Sequence, residues 1–98
     1  MLTAEQLVAI LSEEVKKFAS DGVVQGQLYF PLSDDLHKTY AVNVVGTGTA
    51  SILVLARIVG SKIVIEVDAK QTLVNNLQAR GIVREQIVLA YSGEPRPA

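Results

Sequence analysis

The chain of 98 residues contains no cysteine and no tryptophan, and only one histidine. Without cysteine, disulfides and zinc–thiolate centres are excluded. The lone histidine, His37, leaves Ser33, Ser51 and Ser92 a single candidate base for a serine triad, and it sits in a polar stretch. Neither charge sign is in excess: 9 Lys+Arg stand against 10 Asp+Glu, for a net charge of -1. The basic residues are scattered, with no stripe to follow a phosphate backbone, which argues against direct nucleic-acid binding. No apolar run reaches the length of a membrane span, and the first residues lack a basic-then-apolar leader, so the expected address is the cytoplasm. There is no internal repeat and no low-complexity tract.

What is present is apolar: 49% of the residues are hydrophobic. A chain this short makes one domain, 1–98, with a high surface-to-volume ratio, so part of that apolar content must face outward. Oligomerisation is the usual remedy, and a homo-oligomer is expected.

Thr3 and Gln6 form a T-x-x-Q capping box before Leu7, Leu11, Val15 and Phe18, which recur at helical spacing with Val8 beside them. Glu5 lies in the first turn and Lys16 and Lys17 near the last, as the helix dipole favours, and Glu13 is placed to pair with Lys17. Asp21-Gly22 marks the stop. From Val23 the period becomes two. Val24, Gly26, Leu28 and Phe30 alternate with Gln25, Gln27 and Tyr29, and Pro31 is expected to end this first strand. After a polar connection, Leu32 to Lys38, a second strand runs from Tyr40 to Val45. Gly46-Thr47-Gly48 reads as a hairpin turn, since a phosphate loop would lead into a helix and this one leads into a strand. A third strand, Ala50 to Val59, turns at Gly60-Ser61 into a fourth, Lys62 to Val67. Ala69 to Arg80 returns to helical spacing through Leu73, Val74 and Leu77, with Gly81 as its stop. A single turn at Val83 to Gln86 precedes a short last strand, Ile87 to Tyr91. The tail, about 93–98, holds Pro95 and Pro97 and is expected to be flexible. The order α-β-β-β-β-α-β implies an α+β, two-layer domain on an antiparallel sheet.

The third strand departs from the half-buried pattern. Ile52, Val54, Ala56 and Ile58 alternate with Leu53, Leu55 and Val59, so both faces are apolar. Either a helix or the tail covers the second face locally, or that face is an interface. The candidate interface residues are Leu53, Leu55, Val59 and, on the next strand, Val64. A charge at Leu53 or Leu55 is then expected to disturb assembly more than one at Gln25 or Gln27.

Two further features bear on chemistry. The strand end Glu66-x-Asp68-x-Lys70 has the acid-x-lysine spacing of metal-dependent nuclease cores, with Asp34 or Asp35 as the upstream acid. The favoured reading is an outward polar edge with Asp68 capping the second helix, because the chain is very short for a nuclease and no basic groove accompanies the acids. His37 with Asp34 and Asp35 has the residue types of a weak metal or acid–base site, but a lone histidine in a polar loop is ordinarily solvated. No catalytic, cofactor-binding or metal-ligating residue is therefore assigned, no cofactor is expected, and the chain reads as a non-enzyme.

The segment Lys62-Ile-Val-Ile-Glu66, Asp68, the helix through Leu73, Val74 and Leu77, and Gly81-Ile-Val-Arg-Glu-Gln-Ile-Val-Leu-Ala-Tyr91 resembles the XisI-like family, the fdxN element excision controlling factors of cyanobacteria. Gln27-Leu-Tyr-Phe30, the acidic loop, Tyr40 and Val44 to Gly46 resemble the family's earlier segment. The likeness runs in order over nearly the whole chain. It departs at Val64, Val83, Gln86 and Ala69, where the family commonly has tryptophan, proline, aspartate and glycine. The resemblance implies a regulatory, accessory protein in programmed DNA-element excision during heterocyst development, acting through protein–protein contact with itself or a XisH-type partner. It brings no catalytic residues with it.

Overall fold

The computed structural model describes residues 2–20 and 24–97. Helix α1 spans Ala4–Lys16 and closes with a single 3-10 turn, Lys17–Ala19. It starts where the capping box places it: Thr3 Oγ1 accepts from the Gln6 amide and the Gln6 side chain accepts from the Thr3 amide. The Asp21-Gly22 stop lies outside the described residues.

The sheet has 5 strands in sequential order, β1 (Leu28–Asp34), β2 (Thr39–Gly46), β3 (Thr49–Val59), β4 (Lys62–Asp68) and β5 (Ile87–Leu89). The first four form the antiparallel meander that the short turns require, with Gly48 and Gly60 taking positive φ at the β2–β3 and β3–β4 turns. β5 pairs in parallel with β4, because helix α2 (Leu73–Ala79) carries the chain back to the starting end. The sheet is thus mixed, within the α+β order expected.

Some boundaries differ from the sequence expectation. Pro31 does not end β1; it sits mid-strand opposite Val42. β1 is the edge strand, where a residue without an N–H is tolerated if that position faces away from the ladder. Helix α2 begins four residues later than its spacing suggested. After Asp68 the chain makes a turn in which Gln71 adopts φ 56, and Asp68 Oδ2 then accepts from the Leu73 amide at 2.9 Å. Asp68 does cap the helix, but from before this turn and not from the residue next to it. Glu13 pairs with Arg80 at 2.7 Å and not with Lys17, whose ammonium goes to Glu14.

Both helices lie on one face. Leu7, Leu11, Val15 and Phe18 of the first helical segment and Leu73 and Leu77 of α2 share one core with Tyr40, Val42, Val54, Ala56, Ile58, Ile63, Ile65 and Ile87 from the sheet. Gln86, buried just before β5, ties this core to the N-terminal residues and to the β3–β4 turn: its amide donates to the carbonyls of Leu2 and Ser61 and accepts from the Leu2 amide.

The two helices are also joined by a buried charge. Glu14 receives Lys17 at 2.9 Å and Arg80 at 2.6 Å. Burial pushes the Glu14 carboxyl up, but the hydrogen bonds from Lys17 and Arg80 together outweigh it and hold the group below its ordinary 4.5. A depressed carboxyl contributes stability above its unfolded value and loses it as pH falls through the folded one. The wild type should therefore hold a constant advantage over Glu14→Gln from neutral pH to about 5, shrinking below that. Thermal melts across this range check it; a difference unchanged down to about pH 3 would contradict the assignment.

Candidate functional site

Among the described residues, the other face of the sheet carries no α-helix. Its membership follows from the ladder, since cross-strand partners share a side and Tyr40, Val42, Val54 and Ala56 are on the core side. The rows on the opposite side are Asp34–Thr39–Arg57, Leu32–Ala41–Leu55, Phe30–Asn43–Ile52 and Leu28–Val45–Ala50, read from β1 to β3. Leu28 is 62% exposed, Phe30 45%, Leu32 50% and Ile52 43%. Among the described residues, four of the seven exposed large apolar side chains gather here as one patch.

Two bulges decide who belongs to it. Between β2 and β3 the register slips after Val42, so that Leu53 is the extra residue and Ile52 faces Asn43. Leu53 thereby turns to pack against the helix-side core, while Ile52 moves to the open face. The simple alternation expected along β3 exchanges these two. Leu55 and Val59 are half-buried on the open face, as their spacing suggested. Val64 is fully buried there, between Arg57 and Val88 in the ladder. Leu28, Phe30 and Leu32 were missed as site residues; their two-residue spacing was visible, but Pro31 concealed that they lie on one continuous strand.

The part of the open face over β4 and β5 is closed by the C-terminal segment. Glu94 accepts from the Leu89 amide and from Arg84, and its own amide donates to the Leu89 carbonyl. Arg96 then reaches back to Glu66, donating through Nε at 2.9 Å and through Nη2. Glu66 also receives Arg57 Nε at 3.1 Å. The Arg96 hydrogen bonds, aided by Arg57, hold the Glu66 carboxyl below its ordinary range against the upward pull of burial. The tail, expected to be loose, is thus tied by two ion pairs, and the expectation that it covers the second face locally holds over β4 and β5.

The second bulge lies between β3 and β4, with Glu66 as the extra residue between Ile65 and Val67. It separates the acids of the nuclease-like strand end. Glu66 joins Arg57 and Arg96, whereas Asp68 is buried opposite Val54 and caps α2. Asp34 lies three strand spacings from Val64, roughly 14 Å along the row. Among the described residues no group of three His, Cys, Asp or Glu side chains converges as metal ligands would. Asp34 does meet His37, whose Nδ1 lies 2.7 Å from Oδ2, in the exposed β1–β2 turn. That contact holds the Asp34 carboxyl below its usual value. Beside it a cleft of about 320 Å³ is lined by Glu5, Val8, Asp35, Lys38 and Tyr40. Burial, and then the Asp35 charge, push the Tyr40 phenol up. Among the described residues no helix is long and apolar enough to cross a membrane.

The two bulge-exchanged residues separate a surface role from a core role. Ile52→Asp should melt within about 3 °C of the wild type, whereas Leu53→Asp should fall by more than about 10 °C, because it places a charge against the core. Calorimetry on both checks this; equal losses would mean that the bulge does not turn Leu53 inward.

No protein-family model and no curated protein matches the sequence. Among solved structures the chain is similar to the fdxN element excision controlling factor XisI from Anabaena variabilis ATCC 29413. The identity is 20% and the TM-score 0.74, over 89% of this chain and 90% of that one. It is also similar to a XisI-like protein from the same strain, at 21% identity and TM-score 0.77, over 87% of this chain and 84% of that one. At these TM-scores and coverages the chain has the fold of the XisI-like proteins, the family its sequence resembles.

Proposed function

We propose that the protein is a non-catalytic, XisI-like accessory factor that acts in the cytoplasm by binding another protein through the open face of β1–β3. The observation that carries this reading is the exposed set Leu28, Phe30 and Leu32 with Ile52, on the side of the sheet opposite α1 and α2. Exposed apolar side chains gathered on β1 and β3 of one face gain free energy when something removes them from water. The XisI-like fold supports a role in controlling excision of a DNA element, and the family resemblance points to a XisH-type protein as the partner. The near-neutral charge favours action through that protein over direct contact with DNA. The nuclease alternative has less support, since the bulge parts Glu66 from Asp68 and each already has a structural partner.

Co-expression with a XisH-type protein should give a complex on size exclusion with light scattering. Phe30→Asp or Leu32→Asp should abolish it, and Lys16→Glu on the far side of α1 should not. A complex indifferent to charges at Phe30 and Leu32 would place the contact elsewhere. Magnesium- or manganese-dependent nicking of plasmid DNA, lost in Glu66→Gln, would overturn the non-catalytic reading.

A further inference from the structure

Resting on that reading of the open face, we infer that a second copy of this chain docks there, sheet against sheet, about a two-fold axis parallel to the strands and passing over β2. The rows are self-complementary under that operation, which exchanges β1 of one copy with β3 of the other. Leu32 then meets Leu55, Phe30 meets Ile52, and bulky Leu28 meets small Ala50. Asn43 meets Asn43, whose amides pair with each other. The one charged row matches as well. Asp34 and Arg57 flank Thr39, so each carboxylate arrives opposite the other copy's guanidinium, twice. Both side chains remain accessible, at 51% and 36%. A strongly acidic or basic partner finds no matching field on this face, which carries one charge of each sign.

Face-to-face packing also follows from what the edges refuse. β1 offers an incomplete row of donors because Pro31 lacks an N–H. At the opposite edge, Glu94 already occupies both the amide and the carbonyl of Leu89. Strand addition is thus blunted at both ends, while the face is open.

Three strands by about seven residues give a footprint of roughly 300 Å² per copy in projection, below the size of stable interfaces and in the range of weak, transient ones. The dimer should accordingly be reversible. Sedimentation velocity on the full chain, from about 5 µM to about 500 µM, should show a concentration-dependent shift from monomer to dimer. Phe30→Asp should stay monomeric throughout, with unchanged circular dichroism. Asp34→Arg and Arg57→Glu should each weaken association about fivefold or more, and the double substitution should recover it. A wild type monomeric over the whole range overturns the inference, as does a dimer indifferent to Phe30→Asp or a double variant no better than the singles. If the wild type stays monomeric yet Phe30→Asp still destroys the complex with a XisH-type protein, the docking face stands and the second copy falls. Dimerisation through Phe30 without any such complex keeps the second copy and removes the XisH-type partner.

Discussion

Among the described residues, both α-helices lie on one face of this sheet. α1, at 13 residues, and α2, at 7, both contribute to a single core on one side. That limit leaves the other face of five strands to be satisfied by something that is not a helix. The chain answers with its own C-terminal segment over β4 and β5, fastened by Arg96 on Glu66 and Glu94 on Leu89 and Arg84. Over β1 to β3 nothing described lies on the sheet. The functional reading grows from this uncovered half.

The polar groups that a catalytic reading would use are already committed to this architecture. Glu66 secures the tail and orders Arg57. Asp68 caps a short helix whose N-cap residue, Thr72, makes no side-chain bond of its own. Glu14 bridges the two helices. In each case a charged side chain at low exposure is matched by a donor, which is what burial demands. Asp68 Oδ1 is the one buried side-chain oxygen among the described residues without a hydrogen-bond partner.

Much of the fold was legible because local signals and global packing agree. The capping box, the helical stripe Leu7–Leu11–Val15–Phe18, the glycine turns and the period-two runs place most elements within a few residues. The departures share a cause. Leu53 and Ile52 exchange faces, and Glu66 leaves the line of Asp68, because a bulge inserts one residue into the pairing and shifts alternation by one. A bulge is a property of two strands together, so neither strand alone announces it. Pro31 likewise ends a strand by local preference and is kept in one by its position at the sheet edge. Glu13 finds Arg80, 67 residues away, instead of the nearby lysine. Of the candidate surface, Leu55 and Val59 were visible as apolar alternation; Leu28, Phe30, Leu32 and Ile52 required the register.

The central claim is that the helix-free face of β1–β3 is where this protein meets its partner. Methyl-detected NMR on the full chain, as the complex with the docking protein forms, tests it most directly. The methyl groups of Leu28, Leu32, Ile52 and Leu55 should shift or broaden, while those of Leu7, Leu11, Leu73 and Leu77 in the helix-side core hold their positions. Perturbations confined to residues such as Ala9 on the outer side of α1, with the β1–β3 methyls unmoved, would contradict it.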